Sequence, residues 1–367
     1  MFLEKLHLLN FKNYEEADLS LSPKINLFLG NNGEGKTNLL DALFYLAFCK
    51  SFFNPVDLQL IRHDENFMVL QGSFDRKGEV ENIYCGLKKG QKKQFKRNKK
   101  LYERLADHIG LIPMVMISPA DSQLISEGSD VRRRFIDLII SQFDRHYLDQ
   151  LIQYNRALSQ RNRLLKKFME TRQFDPAALE IWDEQLIRHG QPIFESRKAF
   201  IKDFVPLFKS HYEYISRQKE EVSLIYDSQL INEGFLALIL QHRDKDRRLT
   251  YSTAGIHKDD LSFEIGKMPL KKFGSQGQQK TFLLALKLAQ AEYLKNQMQI
   301  APILLLDDIY DKLDSSRVEQ LMEVVQQDWF GQVFISDTHL NRLPEIFNQL
   351  KADFKAFHIQ KGGVYEQ

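Results

Sequence analysis

Ile25 to Leu29 (INLFL), Gly30 to Thr37 (GNNGEGKT) and Asn38 to Phe48 (NLLDALFYLAF) follow one another without a break. The first is an apolar run of strand length, and the last is an apolar segment of helical length. Between them the glycine loop matches G-x-x-x-x-G-K-[ST] in the strand-loop-helix context that gives this motif its meaning. Gly30, Gly33 and Gly35 let backbone N–H groups turn inward around phosphate oxygens, and the helix N-terminus adds its positive dipole end. Asn31, Asn32 and Glu34 complete the cradle, Lys36 reaches the β and γ phosphates, and Thr37 ligates magnesium. Binding of ATP or GTP with Mg2+ is the expectation.

Working outward, Pro302-Ile303-Leu304-Leu305-Leu306-Asp307-Asp308 reads as a second buried strand, ending in two acids at the sheet edge beside the phosphate loop. Asp307 is expected to organise magnesium and Asp308 to polarise the attacking water, since phosphoryl transfer needs an oriented nucleophile and neutralised charge. A third element, Phe273-Gly274-Ser275-Gln276-Gly277-Gln278-Gln279-Lys280, precedes the apolar helix Thr281 to Leu294. Alone it would be an ordinary serine-capped helix. It also resembles the signature motif of ABC-type ATPases, in which the serine and the helix N-terminus contact a γ phosphate bound by a partner subunit. By that resemblance Ser275, Gly277 and Gln278 are nucleotide contacts, and an ATP-dependent homodimer is implied.

The 367-residue chain is longer than one ordinary domain needs, so two lobes or a large insertion are expected. Residues 1–130 read as strand and loop with one helix: alternation at Leu6-His7-Leu8, the strand at Ile25, and an antiparallel meander from Phe67 to Tyr102 that extends one sheet edge. Residues 131–245 are mainly helical. No Gly or Pro interrupts Val131 to Glu170, Asp175 caps a helix running toward His189, and another helical stretch runs from Ile193 past Pro206. Residues 246–367 return to strands at Leu261 to Ile265, Ile303 to Leu306 and Val333 to Ser336, an α/β alternation with a largely parallel sheet. The expected fold is therefore an α/β, ABC-type phosphate-loop ATPase head with a mixed sheet, built from both chain ends, with a helical arm lobe inserted.

Composition narrows the class further. Hydrophobic residues at 43% and charged residues at 27% fit a globular protein. The longest apolar runs fall short of the roughly 20 residues a membrane helix needs. Glu4, Lys5, Lys12 and Glu15 interrupt any signal-peptide core, so a cytoplasmic location and no membrane partner are expected. Cys49 and Cys85 are too few for a disulfide framework or a zinc site and read as buried apolar residues.

The three elements, with the arm segment YNRALSQRNRLLK, the stretch GIHKDDLSF and the longer runs SQGQQKTFLLALKLA and PILLLDDIYDKLD, together resemble the RecF family. The resemblance implies a weak ATPase acting in DNA repair and replication as a recombination mediator. It also implies binding of single-stranded, duplex and gapped DNA, dimerisation on ATP, and co-operation with RecR and RecO in loading recombinase. It assigns Asp314 to a dimer-facing loop. The family's G-P-H-R-D-D segment here reads Gly255-Ile256-His257-Lys258-Asp259-Asp260, where Lys258 keeps the charge and loses the bidentate fork. The γ-phosphate sensor is left between Thr338 and His339, and Gln123 is the candidate for the glutamine near magnesium.

Two basic regions could meet phosphates. Lys88 to Lys100 carries eight basic residues and no acid; the same pattern also protects an exposed edge strand. Arg132, Arg133, Arg134, Arg156, Arg161, Arg163, Lys166 and Lys167 line the arm, interleaved with Asn155, Gln160 and Asn162. No segment reads as a base-edge reader, so shape-selective binding is expected. No nuclease, ligase or polymerase constellation is legible. The alternative reading is the ATPase subunit of an ABC transporter, which shares all three nucleotide elements. The clamp ATPases with very long coiled coils are disfavoured by an interruption of about 115 residues, and nucleases with a further metal domain by the short stretch after Asp314.

Overall fold

Leu3, Leu6 and Leu8 are buried while their neighbours face outward, which makes Phe2–Phe11 a strand, β1. The three-residue step from Leu3 to Leu6 falls where its register against β4 shifts, between Leu3 and Lys5. In chain order there follow β2 (Tyr14–Ser20), β3 (Ile25–Leu29), α1 (Lys36–Phe48), β4 (Phe67–Arg76), β5 (Glu79–Lys88), β6 (Gln94–Arg97), β7 (Lys100–Leu101) and β8 (Met114–Ile117). The computed structural model describes residues 1–76, 78–217, 220–308, 325 and 330–367. Its contacts divide the chain into two units, Met1–Asp121 with Phe282–Gln367, and Ser122–Thr281.

The first unit holds two six-stranded sheets. One is antiparallel throughout, in the order β2-β1-β4-β5-β6-β7, and the expected meander is its β4 to β7 half. β2 escaped the sequence reading. The other sheet is ordered β15-β14-β3-β13-β12-β8, with β12 (Ile303–Leu306), β13 (Val333–Asp337), β14 (Phe354–Gln360) and β15 (Gly363–Glu366). All its pairings are parallel except the edge hairpin β14-β15. Helix α1 contacts strands of both sheets, β4 and β5 on one side and β8 and β13 on the other. Burial on all sides explains why Leu39 to Phe48 carry no polar face apart from Asp41. Lys12, Ser51 and the Phe52 N–H hold that carboxylate. Gln332, fully buried, bonds Leu3 and Ser22 and so ties β1 to the start of β13.

The second unit contains α2 (Gln123–Ser126), α3 (Ser129–Phe143), α4 (Arg145–Thr171), α5 (Pro176–Ser216), β9 (Val222–Asp227), α6 (Phe235–Leu249), β10 (Asp260–Ile265), β11 (Met268–Pro269) and α7 (Leu270–Phe273). Asp175 caps α5 as expected. The helix does not break near His189, however: it runs 41 residues, through Pro192 and Pro206. Each internal proline costs about 3 kcal/mol of helix propensity. Burial of Ile193, Phe194, Phe200, Ile201, Phe204 and Phe208 on one face offsets it.

A second difference concerns Leu261 to Ile265, expected in the parallel sheet. As β10 it pairs antiparallel with β9 and β11 in a separate three-stranded sheet. Residues 246–281 therefore lie with the helical unit, and the contact boundaries fall at Ser122 and Thr281 instead of 131 and 245. Helix α8 (Gln276–Met298) begins with that unit, and from Phe282 onward its residues are counted with the first. Among the described residues no helix is long and apolar enough to cross a membrane.

Candidate nucleotide site

β3, β13 and β12 are adjacent parallel strands, so their C-terminal ends bring Gly30, Asp337 and Asp307 to one edge of the sheet. The glycines of the loop after β3 are required by different constraints. Gly30 and Gly35 have φ of 153° and 119°. A Cβ on Gly30 would lie 2.3 Å from the carbonyl oxygen of Ile359, and one on Gly35 would meet Asn13 and the Tyr14 hydroxyl. The β1–β2 turn clamps the loop from outside: the Asn13 amide donates to Glu34 O at 2.8 Å and the Tyr14 hydroxyl to Gly35 O at 2.9 Å. The Glu34 carboxylate accepts from the Lys361 backbone N–H. Asn13 and Tyr14 were not found in the sequence, because nothing local links that turn to the loop.

Lys36 is buried at 4% exposure, and its ammonium donates to Gly30 O at 2.8 Å and Asn31 O at 3.0 Å. It thus lies folded across its own loop. Thr37 Oγ1 donates to Asp307, 2.9 Å from Oδ1 and 3.2 Å from Oδ2. A hydroxyl and a carboxylate at this separation are both hard oxygen donors, the kind magnesium takes, so the residues fit that ion. Burial raises the Asp307 carboxyl above the usual carboxylate range, against hydrogen bonds from Ser336 and Thr37 that lower it. Ser336 Oγ donates to Asp307 Oδ1 at 2.8 Å and accepts from Asp308 N at 2.9 Å. Asp308 has a left-handed backbone, φ 43°. Beyond β13, Thr338 is half-buried and His339 is exposed, its N–H donating to Asp337. Asp314 lies outside the described residues.

The signature segment belongs to the second unit. Ser275 Oγ accepts from Gln278 N at 3.2 Å, and Gln278 Oε1 accepts from Ser275 N at 2.7 Å, a reciprocal capping box at the start of α8. Gln278 Nε2 donates to Glu220, and Gln279 Nε2 to Gly274 O. Ser275 and Gln276 are exposed, beside Phe273 at 58%. Gln123 opens the short helix α2 of the same unit.

Several arm residues expected at phosphates are instead engaged by groups of their own unit, and one of them, Arg161, is interior. Arg161 is 1% exposed and donates to Asp183 and Asp246 at 2.6 Å each and to Ser252 Oγ at 2.8 Å. Asn162 Oδ1 accepts from Ser252 N and Oγ. Arg132 grips Asp260 with two hydrogen bonds, and Arg133 donates to Asp259 O. A cation with this many fixed acceptors in the interior is part of the framework. Arg156, Arg163, Lys166 and Lys167 remain exposed on α4.

The GIHKDD stretch is held likewise. Arg197, 1% exposed, bonds Asp259, Asp137, Ile256 O and Tyr147 Oη. His257 Nε2 faces Ser252 O and so must donate, leaving Nδ1 to accept from Tyr154 Oη at 2.7 Å. Burial pushes this imidazole down to about 4.

In the β5–β6 region, Lys93 is bonded to Tyr45 Oη, Cys49 O and Asp57, and Arg97 to Glu81. Lys88, Lys89, Lys92, Lys99 and Lys100 are exposed. Cys49 and Cys85 are free and buried, as expected, with the Cys85 thiol pushed up to about 12 by burial.

Comparison with known proteins places this geometry. Residues 2–355 match the RecF/RecN/SMC N terminal domain family. The chain is 52% identical to the DNA replication and repair protein RecF of Phocaeicola vulgatus over 369 residues, covering 100% of this chain and 99% of that one. It is 52% identical to the RecF of Flavobacterium johnsoniae, covering 98% of this chain and 100% of that one. Among solved structures, the recombination mediator protein RecF with ATP, of the RecFOR pathway, superposes with a TM-score of 0.89 at 28% identity, covering 100% of this chain and 97% of that one. An Smc head bound to a domain of ScpA shares the fold alone, at a TM-score of 0.58 and 15% identity. Between the two readings the sequence left open, these relatives favour DNA repair over transport. The chain belongs to the RecF family of DNA replication and repair proteins, within the SMC-like superfamily of ATPase heads.

Proposed function

We propose that the chain is an ATP-dependent recombination mediator that binds and slowly hydrolyses ATP with Mg2+. The observation that carries this is that Lys36 and Thr37, at the start of α1, stand with Asp307 and Asp308, at the end of β12, on the edge where the parallel strands β3, β13 and β12 end. The related structure solved with ATP supports the choice of nucleotide. In this reading Gly30 to Gly35 cradle the phosphates, and Lys36 exchanges its two carbonyl partners for phosphate oxygens. Thr37 and Asp307 would hold magnesium, which neutralises phosphate charge when bound. Asp308 orients the attacking water. Exposed Ser275 and half-buried Gly277, at the start of α8, meet the γ phosphate on a second copy of the chain, so that ATP holds a homodimer together.

The dimer acts on DNA, single-stranded, duplex or gapped, and works with RecR and RecO to load recombinase, as the pathway of the related structures suggests. The exposed cations Arg156, Arg163, Lys166, Lys167, Lys88, Lys89, Lys92, Lys99 and Lys100 are the candidates for phosphate contact. Fluorescence anisotropy on gapped duplex, blunt duplex and single strand, with ATP, ADP or no nucleotide, tests this directly. Tighter binding with ATP that disappears in Ser275→Arg is expected. Binding indifferent to nucleotide, or unchanged in that variant, would remove the ATP-closed dimer from the account.

A further inference from the structure

The Ser336 hydroxyl joins the two acids of the site, and nothing in the three sequence elements marks it. It is fully buried near the end of β13, the strand between β3 and β12. Its oxygen accepts the Asp308 N–H at 2.9 Å while its proton goes to Asp307 Oδ1 at 2.8 Å. One side chain therefore fixes the carboxylate of Asp307 and the backbone of Asp308. The bond to Asp308 N–H has particular consequence because Asp308 sits in the left-handed region at φ 43°, which aspartate tolerates better than most residues but which a fixed hydrogen bond makes definite.

Thr37 is the other hydroxyl on Asp307. In the reading proposed above its oxygen turns to magnesium, and Asp307 then keeps Ser336 as the hydroxyl that orients it. We infer that Ser336 is the positioning residue of the hydrolytic site: it orients the Asp307 carboxylate for magnesium and holds Asp308 in the conformation that aims its carboxylate at water.

This inference rests on the ATPase reading, and the experiment separates the two. Wild type, Asp308→Asn, Ser336→Ala and Ser336→Thr are compared for ATP turnover, for the Mg2+ concentration that half-saturates it, and for Mg2+-dependent tightening of a fluorescent ATP analogue. Hydrogen exchange of the Asp308 amide without nucleotide supplies a readout independent of activity. Ser336→Ala is expected to lower kcat by about 10- to 100-fold, the effect of losing a hydrogen bond to a charged group. It should also raise the Mg2+ requirement, leave the ATP KM within about twofold, and speed exchange at Asp308. Ser336→Thr keeps the hydroxyl and should recover most of each loss.

Wild-type-like kcat, Mg2+ dependence and exchange in Ser336→Ala, alongside an inactive Asp308→Asn, overturn the role of Ser336 and leave the ATPase reading standing. A wild-type protein that neither binds nor hydrolyses ATP overturns both. A fall in kcat that Ser336→Thr does not recover, with unchanged exchange at Asp308, also overturns the inference, because the loss then follows from packing.

Discussion

Lys36 and Arg197 are both buried cations, one in each unit, and they are held in opposite ways. Lys36 donates to two backbone carbonyls of its own loop. Arg197 is gripped by the carboxylates of Asp137 and Asp259, with Ile256 O and the Tyr147 hydroxyl beside them. Carbonyl dipoles solvate an ammonium without neutralising it, so Lys36 keeps a positive charge at a place where an anion can exchange for them. Arg197 is neutralised by fixed partners and has nothing to exchange. The contrast separates a buried cation held for a ligand from one held for the fold, and it rests on the type of partner, since burial is nearly the same.

The largest effect should come from breaking each cation in turn. Arg197→Ala leaves the buried carboxylate of Asp259 and the half-buried one of Asp137 without their cation, which costs about 3–5 kcal/mol. A unit of this size should lose on the order of 10 °C in Tm. Lys36→Ala removes a charge whose hydrogen-bond partners are backbone carbonyls and whose interaction with the nearby Asp307 carboxylate is a minor one, so its Tm should stay close to wild type while ATP affinity falls at least about 100-fold, because charge-assisted phosphate contacts are among the strong ones. Differential scanning fluorimetry with a nucleotide-binding assay reads both. A Lys36→Ala protein as destabilised as Arg197→Ala would erase the distinction.

That distinction also explains what could be read in advance. GNNGEGKT, PILLLDD and SQGQQ were legible because each carries its chemistry within a few consecutive residues, and β3, α1 and β12 formed where expected. YNRALSQRNR looked like a solvated basic face because the acids that neutralise Arg161 stand 22 and 85 positions away. Nothing local distinguishes Arg161, in the interior, from Arg163, which is exposed. The unbroken path of α5 through Pro192 and Pro206 was hidden for the same reason: local propensity argues for a break, and only the partners of its buried face oppose it. Ser336 lacked any signal, since its function depends on two residues of a neighbouring strand's end.

An intermediate effect should appear with pH, and here the two units behave alike. His108 in the first unit and His257 in the second have the same arrangement, Nε2 donating to a carbonyl (Leu46 O, Ser252 O) and Nδ1 accepting from a tyrosine (Tyr102, Tyr154). Burial pushes both down to about 4. Unfolded, each would titrate near 6.5, so below that pH the unfolded chain binds more protons than the folded one. Stability is therefore fully present above about pH 6.5 and is lost as pH falls toward 4. Fully buried His108 contributes up to about 3 kcal/mol of that loss and the partly exposed His257 less. Urea midpoints should fall steadily between pH 6.5 and 5. Imidazole resonances of either residue that titrate near 6.5 in the native protein would contradict the neutral assignment.

The smallest effect asks on which side of the contrast Gln278 falls. Its side chain closes the capping box with Ser275 and also donates to Glu220, so it is framework, although the signature resemblance makes it a nucleotide contact. Gln278→Ala should cost about 0.5–1 kcal/mol through the lost cap. Gln278→Glu keeps an acceptor at the third helical position, where glutamate serves the box as well as glutamine, and should recover the N-terminal bond while losing the amide donor to Glu220. If Gln278→Glu regains both stability and ATP-dependent dimerisation, the residue acts as a cap that presents Ser275 and Gly277. If it regains stability without dimerisation, the amide itself meets the partner's phosphate, and Gln278 joins Lys36 as a group whose present partners are exchanged when the nucleotide arrives.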